Sequence, residues 1–269
     1  MPRHARVDVE LVRRGLARSR RQAAELIDAG KVSIDGMPAV KPGTAVAVTA
    51  ALRVAAEPAR SWASRGAHKL LGALDAFAVD VAGRRCLDAG ASTGGFTDVL
   101  LDRGAREVVA VDVGYGQLAW KLRSDPRVVV VERTNVRELS PAAIGGPVEV
   151  IVADVSFISL TLVLPALTAC AVPDADIVPL VKPQFEVGRG QVGPGGVVHD
   201  PTLRANSVLA VAQRAGQLGW HTVGVAASPL PGPSGNVEYF LWLRSRTDRG
   251  LSGEELACAV GAAVRAGPQ

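Results

Sequence analysis

Four charged residues stand where apolar segments begin or end, and their types suit acid–base chemistry. The apolar run "VEVIVAD" ends in Asp154, and the run "IVPLVK" ends in Lys182. Lys69 opens the predicted helix "HKLLGALDAFAV", and Glu238 follows a Pro- and Gly-rich loop. A lysine ammonium is costly to bury without a partner, so these groups can pair with one another and exchange a proton with a ligand. Taken singly, each is equally compatible with a charge that only caps a strand.

The elements that must position these residues follow an alternating strand and helix pattern from residue 84 onward. Near-continuous apolar strands joined by helical crossovers predict a parallel sheet covered on both faces. The last two strands, "WHTVGVAAS" and "NVEYFLWLRS", are too close for a helix and are predicted to pair antiparallel. The predicted fold is therefore α/β, a doubly wound Rossmann-like sheet that is mostly parallel with an antiparallel last strand. Its strand ends would bring Asp154 and Lys182 to one edge.

A glycine turn, "CLDAGASTGGF", ends the first strand of this sheet. Neither G-x-G-x-x-G nor G-x-x-x-x-G-K-[ST] is present, and Asp88 within the turn would repel a pyrophosphate. An acidic residue suits a cationic, amino-bearing ligand such as S-adenosylmethionine, and Asp112 is placed for ribose hydroxyls. A generic turn without a ligand is the alternative. The predicted cofactor residues are Asp88, Gly90, Ser92, Thr93, Gly94, Gly95, Phe96, Asp112, Asn135 and Phe157.

The N-terminal fifth of the chain is strongly basic. Residues 1–53 hold ten Lys and Arg against five Asp and Glu, a net charge of +5, whereas the whole chain carries +4. A basic head on a nearly neutral body predicts an anionic partner, although a merely soluble surface would look similar. Within this head, Ser19 is predicted to cap a helix and Asp35-Gly36 to turn a hairpin.

Composition narrows the class of protein further. A chain of 269 residues with 48% hydrophobic residues suggests one large or two ordinary domains with a substantial core. Cys86, Cys170 and Cys258 lie far apart in apolar contexts, which predicts buried free thiols, a cytoplasmic location and no metal site. No secretory signal is visible, and the apolar runs are shorter than the roughly 18 residues of a membrane span. We therefore expect no stable membrane association.

The order and context of Lys69, Asp154, Lys182 and Glu238 resemble the K-D-K-E tetrad of FtsJ-type ribose 2′-O-methyltransferases. The segment "RVDVELVRRGLARSRRQAAELIDAGKVSIDG" resembles the S4 RNA-binding domain. This combination is similar to the TlyA family of ribosomal RNA cytidine 2′-O-methyltransferases, which are also labelled hemolysins. The motif blocks of that family resemble four segments of this sequence, "SRGAHKL", "DAGASTGGFTD", "ADVSFISL" and "LVKPQFE". The resemblance covers nearly the whole chain. It implies an S4-like domain over 1–59, a linker over 60–64 and a methyltransferase domain over 65–269.

The resemblance also implies roles for the tetrad. Lys182 would take the proton of a ribose 2′-hydroxyl, with Lys69 and the sulfonium lowering its pKa, while Asp154 and Glu238 orient the two lysines. The alternative is that Lys182 only positions the hydroxyl, and proximity supplies most of the rate. The implied partner is ribosomal RNA within ribosomal subunits, and loop 188–199 is a candidate lid. The predicted phosphate contacts are Arg6, Arg14, Arg18, Arg20 and Lys41, each of which is equally readable as a solvated surface charge.

Three rival functions are less well supported. The hemolysin label suggests a membrane-active protein, but the sequence offers no long apolar segment and no basic amphipathic helix with Trp, Phe and Leu. A non-catalytic ribosomal RNA-binding protein would not need an intact tetrad. A small-molecule methyltransferase would leave the basic head unexplained.

Overall fold

The computed structural model describes residues 4–28, 30–39, 41–54 and 61–268. The chain divides into two compact units, Met1–Ser61 and Trp62–Gln269. The predicted border between residues 59 and 60 lies outside the described residues. Trp62, in the predicted linker, packs against the core of the second unit.

The N-terminal unit combines two helices with short antiparallel strands. Ser19 caps the second helix, since its Oγ accepts a hydrogen bond from the Gln22 amide at 3.2 Å. The predicted hairpin is confirmed, with Asp35 and Gly36 at φ 49° and 87° between its strands. The elements are β1 (His4–Arg6), α1 (Val7–Arg13), α2 (Arg20–Asp28), β2 (Val32–Ile34), β3 (Met37–Pro38), β4 (Ala45–Ala47) and β5 (Leu52–Val54).

The second unit is built on a seven-stranded sheet. Its order is β11-β12-β10-β9-β6-β7-β8, with β12 antiparallel to both neighbours and the other pairs parallel. The predicted doubly wound fold is thereby confirmed. The strands are β6 (Arg85–Ala89), β7 (Glu107–Val111), β8 (Val128–Val131), β9 (Val148–Ala153), β10 (Ala171–Val181), β11 (His221–Ala227) and β12 (Tyr239–Arg244).

Helices cover both faces of this sheet. They are α3 (Gly66–Phe77), α4 (Gly95–Asp102), α5 (Trp120–Arg123), α6 (Leu160–Ala169), α7 (Pro183–Glu186), α8 (Pro201–Gln217) and α9 (Gly253–Ala266). Alternate strand residues point to opposite faces. Leu87 accordingly joins the cluster that includes α6, α8 and α9, whereas Cys86 joins the cluster that includes α3 and α4. Burial on both sides explains why the strands read as apolar runs.

The prediction of three buried thiols is wrong for one of them. Cys86 and Cys170 are buried, but Cys258 is exposed on α9. Its apolar neighbours in sequence, such as Val260 and Val264, lie on the buried face of that helix. In the described ranges no helix is both long and apolar enough to span a membrane. Nor do those ranges contain three His, Cys, Asp or Glu side chains grouped as a metal site would need.

Candidate functional site

Two predicted residues meet at the carboxyl edge of the sheet. Asp154 directly follows β9 and Lys182 directly follows β10, and these strands are parallel neighbours. Lys182 Nζ lies 2.6 Å from Asp154 Oδ1 and donates a hydrogen bond to Ser156 Oγ at 2.8 Å. Lys182 has an extended backbone, as expected before Pro183, which fixes its direction toward the edge. The lysine at the end of a buried strand is therefore partnered.

A second lysine–carboxylate pair lies beside the first. Lys69, in the first turn of α3, donates to Glu238 Oε2 at 2.5 Å, and both residues are buried. Glu238 directly precedes β12, the strand that joins β10 to β11. A cavity of about 270 Å³ is lined by Lys69, Asp154 and Lys182. The structure thus places three members of the predicted tetrad on one cavity, with Glu238 held behind Lys69.

A larger cavity of about 470 Å³ adjoins this one along the glycine turn. Gly90 and Ser92 line both cavities, as do Asp154 and Ser156. Gly90 has φ +86°, and a Cβ there would lie 2.6 Å from the Asp154 carbonyl oxygen. Only glycine allows the turn to approach the Asp154 strand this closely.

Asp112 lines the larger cavity, and two backbone amides hold its carboxylate in place. Its Oδ2 accepts from the Ser92 amide at 2.8 Å, and its Oδ1 accepts from the Gly114 amide at 2.7 Å. Each carboxylate oxygen can accept a second hydrogen bond. The side chain is therefore preorganised to receive hydroxyl donors from a ligand in this cavity.

Asp88 lies two residues before Gly90 and is fully buried. Its Oδ2 accepts from Thr97 Oγ1 at 2.7 Å, while Oδ1 has no hydrogen-bond partner among the described residues. Burial raises the pKa of this carboxyl to about 7, against the Thr97 hydrogen bond, and the charges of Asp154 and Asp112 add to the rise. Asp88 lines neither cavity, so a ligand in either one would feel its charge across the glycine turn, which suits a cationic or amino-bearing group.

The remaining predicted cofactor residues fall into three places. Thr93, Gly95 and Phe96 line the smaller cavity, whereas Asn135 and Phe157 line the larger one. Asn135 Oδ1 accepts from the Arg137 amide at 3.1 Å. Phe157 has φ +64° and is 91% exposed. Gly94 lines neither cavity; a Cβ on it would meet Leu118 and Leu122.

Several residues around the two cavities were missed from the sequence, and two of them, Ser156 and Glu186, contact the segments that carry the tetrad. Ser156 contacts Lys182 Nζ and lines both cavities. Glu186, at the end of α7, accepts from Ser159 Oγ at 2.6 Å and from the Leu160 amide at 2.8 Å. It thereby ties the segment after Lys182 to the start of α6. The signal was their position inside the blocks "ADVSFISL" and "LVKPQFE".

The candidate lid, 188–199, is joined to the connection before β12. Asn236 is buried, its Oδ1 accepts from the Val198 amide at 2.9 Å, and its Nδ2 donates to the Gly196 carbonyl at 2.8 Å. Asn236 lies two residues before Glu238. One short segment therefore supports both the loop and the buried lysine pair.

The predicted RNA contacts of the N-terminal unit differ in their surroundings. Arg6 and Arg20 both bind Asp8 and stay largely exposed. Arg14 is occupied by Glu10 and by the carbonyls of Ala50 and Val48, each at 2.7 Å. The two remaining residues, Arg18 and Lys41, are exposed.

A doubly wound sheet with an antiparallel strand between two others, and a glycine turn at its carboxyl edge, defines a Rossmann-like methyltransferase architecture. The chain belongs to the FtsJ-like methyltransferase family, whose model matches residues 62–245, and an S4 domain model matches residues 5–50.

Comparison with known proteins confirms the predicted resemblance to the TlyA family. The 16S/23S rRNA (cytidine-2′-O)-methyltransferase TlyA of Mycobacterium tuberculosis is 75% identical over 268 residues, covering 100% of both chains. A putative rRNA methyltransferase of Bacillus subtilis, YqxC, is 46% identical over 93% of this chain and 89% of its own. The structure of a putative hemolysin from Streptococcus thermophilus superposes with a TM-score of 0.71 at 39% identity, covering 98% of this chain and 97% of that one.

Proposed function

We propose that the protein transfers a methyl group from S-adenosylmethionine to the 2′-oxygen of a cytidine ribose in 16S ribosomal RNA, 23S ribosomal RNA or both. The observation that carries the proposal is the meeting of two lysine–carboxylate pairs at a cavity that adjoins the glycine turn. Family membership supports the reaction class. The M. tuberculosis relative, 75% identical over its full length, supports the substrate.

The larger cavity is the proposed cofactor site. When bound, S-adenosylmethionine supplies a methyl group activated by its sulfonium. Asp112 would accept hydrogen bonds from ribose hydroxyls, and Asp88 would supply negative charge beneath the glycine turn. The other proposed contacts are Gly90, Ser92, Asn135 and Phe157 in the larger cavity, Thr93, Gly95 and Phe96 where the glycine turn reaches the smaller one, and Gly94 within the turn itself.

Lys182 is the proposed proton acceptor for the ribose hydroxyl. Its Nζ lines the smaller cavity, where Asp154 and Ser156 fix its position. Lys69, paired with Glu238, would place a second positive charge on the same cavity wall. A positioned general base contributes roughly a hundredfold to ten-thousandfold to a rate. The alternative, in which Lys182 only holds the hydroxyl in line, predicts a smaller loss when its ability to accept a proton is removed.

Variants at Lys182 separate these two roles. We expect Lys182→Ala to abolish methylation with nearly unchanged cofactor affinity, because Lys182 lies in the smaller cavity and outside the larger one. Lys182→Arg keeps the charge and much of the length but cannot accept a proton at neutral pH. If Lys182 is the base, single-turnover methylation by the arginine variant falls at least about a hundredfold. Near wild-type rates for Lys182→Arg would assign positioning alone.

The N-terminal unit is the proposed rRNA-binding module. Its excess of positive charge suits a phosphate backbone, and such contacts position a protein without reading sequence. The proposed contacts are Arg6, Arg14, Arg18, Arg20 and Lys41. A ribosomal substrate places the proposed activity in the cytoplasm.

Mass mapping of ribosomal RNA from cells with and without the gene tests the function. We expect one or more cytidine fragments to lose a ribose-linked methyl group when the gene is deleted. Restoring the wild-type gene should return the methyl group, while a gene carrying Lys182→Ala should not. Unchanged rRNA in the deletion strain would contradict the enzymatic function and favour a non-catalytic RNA-binding protein.

A further inference from the structure

Two carboxylates on α1 are buried in the N-terminal unit, although each faces arginines. Asp8 is 3% exposed and Glu10 is 1% exposed. Both therefore need cationic partners, because a buried charge without one is strongly unfavourable. Their partners are arranged very differently, which points to different uses.

Glu10 pairs with two arginines that are neighbours at the end of its own helix, and one of them faces inward. It accepts from Arg13 at 2.6 and 2.8 Å and from Arg14 at 2.7 Å. Arg14, in turn, donates to the carbonyls of Ala50 and Val48. Arg14 thereby joins the end of α1 to the segment between β4 and β5 and is 23% exposed, whereas Arg13 is 60% exposed and pairs with Glu10 one turn back on the same helix.

Asp8 pairs with two exposed arginines that come from separate segments of the chain. Arg6 donates to it from Nε and Nη2 at 3.0 and 3.1 Å, and Arg20 donates from Nε and Nη2 at 3.3 and 2.9 Å. The side chains of Arg6 and Arg20 remain 54% and 60% exposed. Within the described ranges, Nη1 of both arginines makes no hydrogen bond. Two guanidinium groups are thus held side by side with donors left for an external acceptor.

We propose that Asp8 is a positioning residue for RNA binding, which holds Arg6 and Arg20 in place so that together they grip the phosphate backbone. This inference rests on the proposed function of the N-terminal unit as the rRNA-binding module. Asp8 does not touch RNA; it sets the separation and direction of the two arginines. Both long side chains lose rotamer freedom before binding, so less freedom is lost when RNA arrives.

The proposal makes a prediction opposite to simple electrostatics. Removing a negative charge from a basic surface should tighten binding to an anion. If Asp8 preorganises the arginines, Asp8→Asn should weaken binding instead. Asparagine keeps an oxygen that can accept the local hydrogen bond from the Val9 amide, which Asp8 Oδ1 accepts at 2.9 Å.

The test compares three full-length proteins: wild type, Asp8→Asn and Glu25→Gln. Glu25 is a matched control, since its carboxylate pairs with the exposed Arg21 at 3.0 Å and is itself 62% exposed. The probe is the large ribosomal subunit purified from a strain lacking the gene, titrated at several salt concentrations. We expect Asp8→Asn to raise Kd and the methylation KM roughly tenfold, with kcat unchanged and a shallower salt dependence. Glu25→Gln should bind as the wild type does, or more tightly.

A second comparison excludes a purely structural role. In a protein that carries Arg6→Ala and Arg20→Ala, the added Asp8→Asn change should cost no further affinity, because Asp8 acts through those arginines. An equal cost in that background would overturn the proposal, as would unchanged or tighter binding by Asp8→Asn alone. A fall in kcat together with a lower unfolding temperature would also overturn it. If the wild type does not bind the subunits, the proposed RNA-binding function fails, and this inference fails with it.

Discussion

Two buried carboxylates of the N-terminal unit, Asp8 and Glu10, contrast with two carboxylates of the second unit, Asp88 and Glu186, that have no cationic partner within hydrogen-bond distance among the described residues. In the N-terminal unit, Arg6 holds the pKa of Asp8 below its ordinary value, and Arg13 and Arg14 lower that of Glu10 to about 2. In the second unit, burial raises the pKa of Asp88 to about 7 and that of Glu186 above its ordinary value. Charges facing charges stay ionised and stabilise the fold, whereas charges facing hydroxyls and amides respond to pH and to ligands.

The largest effect is expected from substituting Asp88, the carboxyl whose pKa is raised most clearly by burial. Asp88→Asn keeps an oxygen for Thr97 but removes the negative charge beneath the glycine turn. Asp88 lines neither cavity, so its charge would act on a cationic ligand across the glycine turn. A charge interaction of about 1.5–3 kcal/mol at this range corresponds to S-adenosylmethionine binding roughly tenfold to a hundredfold more weakly in the variant, measured by calorimetric titration. The matched control is Asp125→Asn, which removes a carboxylate that pairs with Arg127 at 2.8 Å and lies outside the glycine turn. Equal cofactor affinity in both variants would show that the buried charge has no part in binding.

The pH dependence of cofactor affinity provides a second test of whether ionised Asp88 contributes to binding. Because the pKa of Asp88 is raised to about 7, its carboxyl is largely neutral below that pH in the free protein. Binding of a cationic ligand favours the ionised form, so affinity should fall about tenfold per pH unit below 7. Asp88→Asn should abolish this dependence, and a wild-type affinity that does not change between pH 5.5 and 8.5 would refute it. These two pH values lie about 1.5 units below and above the pKa of Asp88.

Asp88 and Glu10 should contribute to folding stability with opposite pH dependence. Between roughly pH 4 and 7, folded Asp88 keeps a proton that the unfolded chain releases, so its contribution to unfolding free energy falls as pH rises. Glu10 has a pKa of about 2 when folded, so its contribution is complete above roughly pH 4.5 and is lost as pH falls toward 2.

Acid unfolding, monitored by circular dichroism, tests the pH dependence expected for Glu10. We expect Glu10→Gln to flatten the loss of stability in this acidic range and to lower the melting temperature at neutral pH, since Arg13 and Arg14 lose a charged partner. Arg21→Ala, which breaks the exposed pair with Glu25, serves as the control and should change stability by only about 0.3–0.5 kcal/mol. Equal acid sensitivity of wild type and Glu10→Gln would contradict the assignment.

Local chemistry made much of the fold predictable. The cap at Ser19, the hairpin at Asp35-Gly36 and the strands of the second unit each have a short-range signal, namely capping, positive φ and apolar runs. The short helix after Lys182 was not predicted, because "PQFE" is too short to show a period.

The site was predictable in its members but not in its pairing. Four ionisable residues could be chosen from the sequence, yet the pairing of Lys69 with Glu238 and of Lys182 with Asp154 depends on strand order, which is a long-range property. The same holds for Asp8, whose two arginine partners come from separate segments. Sequence spacing shows which charges exist, and tertiary structure decides which ones meet.

The late position of Glu238 in the chain has a consequence for protein synthesis. Glu238 directly precedes β12, the last strand of the sheet in chain order, which lies between β10 and β11. Lys69 therefore has no Glu238 to pair with until nearly all of the sheet has been translated. A growing or prematurely terminated chain therefore holds the glycine turn and Lys182 without a complete set of charges. If the Lys69–Glu238 pair is required for methylation, as proposed, activity appears only once translation of the methyltransferase unit is almost finished.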